Sequence, residues 1–167
     1  MSNTGSFQVT TPSDREIAMT RVFDAPRHLV FDALTRPELI QRWLLGPPGW
    51  SMPICEIDLT VGGAYRYVWR SDEGGKEFGT GGVFHEILPP ERFVATEKMD
   101  GFPGEGALAT HTLTEQNGRT TLTLTMRFES KEARDGALGT GMEKGVAMSY
   151  DRLDEVLASM PAQEVIK

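Results

Sequence analysis

The sequence predicts an α+β domain in which a curved antiparallel sheet of about seven strands wraps a long C-terminal helix, with two short helices after the first strand. Three observations predict it. Residues 51–128 alternate short β-leaning runs with Gly, Pro and Asn-Gly turn signals, as consecutive hairpins do. Residues 142–160 carry apolar side chains at spacings of three and four, as an amphipathic helix does. Two proline-opened helical runs separate the first strand from the hairpins.

In chain order, residues 1–13 read as a flexible tail, because only Phe7 and Val9 could be buried. Arg15–Asp24 is β-leaning and ends at Ala25-Pro26, so it is expected to be a strand. Pro26 opens a helix with Leu29, Val30, Ala33 and Leu34 on one face, and Pro37 opens a second with Leu39, Ile40, Trp43 and Leu44. Gly46-Pro47-Pro48-Gly49 breaks the chain, and strands follow over Ser51–Thr60 and Tyr65–Arg70. Lys76–Leu88 is expected to bulge around Gly79, Gly81 and Gly82. Arg92–Met99 and Ala107–Glu115 flank a loop centred near Pro103. Asn117-Gly118 tolerates the positive φ of a two-residue hairpin turn before Thr121–Phe128. The last helix spans Met142–Met160, and its approach, 131–141, holds enough glycine to be irregular or kinked. The domain is therefore expected over 14–160, with a second tail at 161–167. One helix over a strongly curved sheet leaves a hollow between them.

The 167 residues suit one domain with a sizeable core. A formal charge of −7 and no clustered Lys or Arg argue against nucleic acid as a partner. No stretch approaches the ~20 apolar residues of a membrane span, and Met1–Pro12 has no apolar signal core. Cys55 is the lone cysteine, so no internal disulfide forms and a reducing cytoplasm is the simplest home. The three histidines share no metal-ligand spacing, so no metal and no cofactor is expected. Cys55 keeps parity with Ile57 and Leu59 and reads as a small buried hydrophobe. Gly79-Thr80-Gly81-Gly82 lies inside a strand pattern and lacks the lysine of a phosphate loop.

The candidate site is the hollow. Tyr65, Tyr67 and Trp69 alternate with Arg66, Val68 and Arg70 and are expected to face the helix, where rings with polar tips suit a mixed ligand better than dry packing. Met142 and Tyr150 would close the helix side, and Trp43, Trp50 and Phe102 the mouth. Glu97 and His111 sit in phase with apolar neighbours. Pairing across the loop near Pro103 would set Glu97 opposite or diagonal to His111, the diagonal being ~7 Å. They then form a ligand anchor or a general acid/base pair, unless a one-residue slip turns one of them outward. His85 and Glu86 have two plausible phases, and His28 is expected to be exposed.

Residues Arg21-Val22-Phe23-Asp24-Ala25-Pro26, Val30-Phe31-Asp32-Ala33, Pro37-Glu38 and Trp43 resemble the opening of the SRPBCC domains, which share the helix-grip fold of the birch-pollen allergen and START lipid-transfer proteins. Asp58, Gly62-Gly63, Tyr65-Arg66, Glu86-Ile87 and Pro89-Pro90-Glu91-Arg92 resemble one branch, the C-terminal domain of the ATPase activator of the ninety-kilodalton heat-shock chaperone. Gly141-Met142-Glu143 through Tyr150-Asp151-Arg152-Leu153 resembles its small bacterial members. The resemblance implies a cavity that binds lipids, hormones or polyketide intermediates in different members, and catalysis in a few. Fold does not fix function.

Three function classes follow. The leading one is a non-enzymatic binder of a small, mostly apolar molecule: a lipid, a polyketide-like compound or an aromatic metabolite. It would use Trp43, Tyr65, Tyr67, Trp69, Glu97, His111, Met142 and Tyr150. The second is a cyclase- or isomerase-like enzyme in the same cavity, with Glu97 or His111 as base. The third is an interaction module regulating a chaperone, which expects a filled core and an exposed patch. The oligomeric state stays open between monomer and homodimer.

Overall fold

The computed structural model describes residues 7–102 and 104–160. Its strands are β1 (Gln8–Thr10), β2 (Glu16–Phe23), β3 (Trp50–Ile57), β4 (Ala64–Ser71), β5 (Glu77–Leu88), β6 (Arg92–Met99), β7 (Ala107–Gln116) and β8 (Arg119–Phe128). Its helices are α1 (Arg27–Thr35), α2 (Pro37–Trp43), α3 (Lys131–Gly139) and α4 (Met142–Ala158). The sheet order is β1-β2-β8-β7-β6-β5-β4-β3, antiparallel throughout. Strands β3 to β8 are sequential neighbours, as the turn signals require, while α1 and α2 carry the chain from β2 to the far edge. This is the helix-grip arrangement, with eight strands rather than about seven.

The additional strand comes from the expected tail. Val9 pairs with Met19 on β2, and the Phe7 ring meets Tyr150 edge-on at 6.0 Å. Two apolar residues were enough once an edge was available to receive them. The remaining tail residues, 1–6 and 161–167, lie outside the described residues.

The segment 131–141 is also more regular than its glycines suggest. Ser130 caps α3 by accepting from the Ala133 amide at 3.0 Å. Arg134, buried in α3, donates to the Ser13 and Glu16 carbonyls. These anchors outweigh the ~1 kcal/mol cost of each helical glycine. The kink is confined to Thr140 and Gly141, whose φ of +77° begins α4 on a new axis.

The expected bulge falls at His85, between the Phe84 and Glu86 pairings, and not at the glycines. It places both Phe84 and Ile87 against the core, so neither simple alternation holds, and His85 is exposed. The glycines instead clear space for their neighbours. The Arg66 guanidinium crosses Gly79 to form two hydrogen bonds with Asp100, at 2.9 and 2.7 Å. A side chain on Gly82 would strike the Thr96 carbonyl, which accepts the Tyr65 hydroxyl at 2.8 Å. Asn117 and Gly118 take φ of +56° and +77°, as a two-residue hairpin turn needs.

Helix α4 buries Ser149, Tyr150, Leu153, Val156 and Leu157, while Met142 and Val146 nearer its start are only partly covered. Tight packing is thus confined to its second half, which lies against α1 and α2. There Arg21, on the inner face of β2 with Ile17, Met19 and Phe23, reaches across to the helix. Its Nη1 donates to Asp151 Oδ1 at 2.7 Å and its Nη2 to Asp154 Oδ2 at 2.9 Å. The guanidinium carbon lies 5.3 Å from the Phe23 ring centre. Arg21 is 5% exposed and Asp154 18%, whereas Asp151 is 70% exposed. Arg21 is the buried member of the fork and carries both of its bonds to α4, so Arg21→Ala should cost about 3 kcal/mol in denaturant unfolding. Asp151→Ala, at the solvated end of the fork, should cost less than about 1 kcal/mol. Equal losses would contradict this division.

Candidate functional site

Where α4 lifts from the sheet, a cavity of about 450 Å³ opens between its first half and the inner faces of β4 to β8. Its floor is low because Ala95 and Ala109 pair across β6 and β7 at the centre of the sheet. Longer side chains there would have filled it. The size falls in the range of small-molecule sites.

All eight residues nominated from the sequence line this cavity: Trp43, Tyr65, Tyr67, Trp69, Glu97, His111, Met142 and Tyr150. Strand alternation puts Tyr65, Tyr67 and Trp69 on one wall, with ring centres 5.0 and 6.1 Å apart in succession. Trp69 also stacks on Phe78 at 5.6 Å. Trp50 lines the cavity as expected at the mouth, but Phe102 does not and is half exposed. Periodicity alone does not assign Phe78, Phe84, Phe93, Leu124 and Met126 to the lining, although alternation puts Leu124 and Met126 on one strand face. Arg21 was also missed as the helix anchor, although its parity with Met19 and Phe23 was a usable signal.

The polar tips divide into two sets. Trp43 Nε1 donates to the Ala33 carbonyl at 2.9 Å, Trp69 Nε1 to that of Leu44 at 2.7 Å, and the Tyr65 hydroxyl to that of Thr96. These three rings are fixed by the backbone. The Trp69 bond and a Gly46 amide donating to Ser149 Oγ at 2.9 Å hold down the 44–50 loop at the mouth. The hydroxyls of Tyr67 and Tyr150 and the carboxyl of Glu97 have no hydrogen-bond partner among the described residues.

Burial pushes the Glu97 carboxyl above the usual carboxylate range. Its side chain is partly exposed and lines the cavity. Burial likewise holds the Tyr65, Tyr67 and Tyr150 hydroxyls above their ordinary value, with a nearby Glu97 charge adding to the effect on each. Burial lowers His111 to about 4, so its imidazole is neutral at pH 7. The ring stacks on Phe93 at 4.4 Å with 12° between planes, and Nδ1 is buried without a partner.

The Glu97–His111 juxtaposition needs correcting. Both side chains face inward, so neither strand has slipped, but Glu97 pairs with Ala107 while His111 pairs with Phe93. Four residues along β7 separate the two positions, about 13 Å at strand rise. They are neither opposite nor diagonal, and the acid/base pair is not assembled. Cys55, next to Tyr67 across β3 and β4, is pushed up to about 11, chiefly by burial, and so remains a thiol at neutral pH. His28, expected to be exposed, is half-buried with Nε2 unpartnered. Among the described residues no cluster of His, Cys, Asp and Glu could hold a metal ion, and no helix is long and apolar enough to cross a membrane.

Comparison with known proteins matches this architecture. A protein from Rhodobacter sphaeroides has a solved structure that superposes with a TM-score of 0.85 at 28% identity, over 93% of this chain and 100% of that one. One from Nitrosomonas europaea gives 0.78 at 25% identity, over 93% and 99%. An AHSA1-like protein from Aeromonas hydrophila gives 0.70 at 19% identity, over 84% and 92%, a likeness of fold. No curated protein matches the chain. The family model described as Activator of Hsp90 ATPase homolog 1-like protein matches residues 24–158, which is most of the sequence and all of the cavity wall, and the chain belongs to that family.

Proposed function

We propose that this protein binds a small, mostly apolar molecule in the cavity between the sheet and α4. The observation that carries the reading is the cavity itself: about 450 Å³ lined largely by aromatic and aliphatic side chains. A ligand losing about 200 Å² of apolar surface there gains roughly 5 kcal/mol, before the cost of association is subtracted. The chaperone-module reading expects a filled interior, and the interior is hollow. The β6–β7 register separates Glu97 from His111, so an enzyme in this cavity would have to use one of them alone as base.

A second observation supports a binding role. Glu97 and His111 are expensive groups to enclose in apolar surroundings, and among the described residues neither closes a hydrogen bond. They weaken the empty protein and are of use only when something enters.

Three outcomes test this reading. Thermal unfolding against a panel of neutral lipids and aromatic compounds should give a ligand that raises the midpoint by about 5–10 °C at a hundred times its dissociation constant. Ala109→Leu, which fills the centre of the cavity, should abolish that shift and leave the empty protein at least as stable as wild type. Retained binding in this variant would place the site elsewhere. For the empty protein, the pH dependence has two arms. The His111 pKa falls from 6.5 unfolded to about 4 folded, so stability present above pH 6.5 is lost as pH drops through 4, by about 3 kcal/mol. His111→Phe should flatten that acid arm. The folded Glu97 pKa is raised, so the unfolded chain loses its proton first and stability falls as pH rises above the ordinary carboxylate range. Glu97→Gln should therefore stabilise the empty protein at pH 7 and make no difference at pH 3, read by chemical unfolding at each pH.

A further inference from the structure

The cavity's charges are lopsided. Among the described residues its lining contains one carboxyl, Glu97, and no lysine or arginine. The titratable side chains that share the Glu97 charge are Tyr65 and Tyr67 on β4 and Tyr150 on α4, all neutral at pH 7, while Arg21 on β2, the cation that acts on Tyr150, is engaged by Asp151 and Asp154. Glu97 therefore has no counter-charge among the described residues that line the cavity. A buried carboxylate without a cation or hydrogen-bond donors is costly, and what relieves the cost most is a positive charge. The rings around it add a second attraction. A cation over the face of a tyrosine is drawn to the ring quadrupole, and desolvation strengthens the effect. An anion would meet Glu97 and no compensating group.

We infer that the ligand is an amphiphilic amine, whose ammonium is held by Glu97 among Tyr65, Tyr67 and Tyr150 while its hydrocarbon body fills the cavity. This rests on the binding function proposed above and specifies its ligand class. The open hydroxyls of Tyr67 and Tyr150 accept from the remaining ammonium protons, a role the donor-only indole N–H of Trp69 cannot share. Binding would also draw the Glu97 proton equilibrium back toward the carboxylate. Amine affinity then rises with pH through the Glu97 titration, and the affinity of a neutral analogue does not.

Three matched probes decide it: naphthylethylamine, naphthylethanol and naphthaleneacetate, titrated by calorimetry into wild type and Glu97→Gln at pH 7. The expected order is amine tighter than alcohol by about ten- to a hundredfold, with the anion weakest. In Glu97→Gln the amine should fall to within about threefold of the alcohol, and alcohol binding should persist. Repeating the wild-type titrations at pH 5 should weaken the amine and leave the alcohol unchanged. If the alcohol binds as well as the amine to wild type, the amine assignment is overturned and the cavity reading stands. If none of the three binds to folded wild type, both are overturned. If Glu97→Gln keeps the amine preference, Glu97 is not its source and the assignment fails. The wild-type comparison decides the amine preference even if the variant does not fold.

Discussion

Arg21 forks to Asp151 and Asp154 from the inner face of β2, and this pairing fixes where α4 can sit. A helix over a curved sheet cannot follow the curvature along its whole length. Once it is pinned at one end, the other end must stand away. The pin lies beside Tyr150, Leu153 and Leu157, all buried, so the second half of α4 is pressed into the larger core. The first half then spans β7 and β8 at a distance that Met142 and Val146 only partly fill. The cavity is the geometric remainder of one buried ion pair, one rigid helix and the paired alanines at 95 and 109.

The same arrangement separates groups that hold the fold from groups that do not. The Arg66–Asp100 pair lies over Gly79 on the opposite face of β4 from the cavity, and the Gly82 hydrogen lets Tyr65 reach the Thr96 carbonyl. The two tryptophan amines end on backbone carbonyls. In each case a polar atom finds a partner and its ring or strand is immobilised. Tyr67, Tyr150 and Glu97 differ: their polar ends stop in the cavity. A fold selected for stability alone would not enclose a carboxyl there, because burial without a partner costs more than a leucine of similar volume would.

Much of this was legible in the sequence because it depends on periodicity. Alternation along β4 is enough to place Tyr65, Tyr67 and Trp69 together, and the spacing of Met142, Val146 and Tyr150 puts them on the helix face opposite. What the sequence does not carry is register and the reward for long-range contact. Glu97 and His111 share a face by parity, but how far apart they fall depends on how the 100–106 loop is closed, and loop length alone does not fix that. The bulge at His85 defeats simple alternation, so Phe84 and Ile87 both point inward. Val9 enters the sheet only because Met19 offers an edge, and α3 forms despite its glycines because Arg134 finds two carbonyls far away in the chain. Those gains are tertiary, and no local window contains them.

The residues behind the family resemblance explain why membership fixes the fold and leaves the ligand open. Asp58 receives the chain at the Gly62-Gly63 turn, where a side chain on Gly63 would strike it, and its amide donates to the Ala64 carbonyl. Glu86 and Arg92 form an ion pair at 2.9 Å away from the cavity. Arg21 pins the helix, and Trp43 and Tyr65 face the cavity with their polar tips already bonded to backbone. Of the resemblance residues that line the cavity, Tyr150 is the one whose polar group has no partner among the described residues. Tyr67, Glu97 and His111, which give the cavity its charge and hydrogen-bonding character, lie outside that set. A chain can therefore keep every structural device of the helix-grip fold and alter its ligand by changing two or three side chains on β4, β6 and β7. The chemistry of this protein has to be read from those positions.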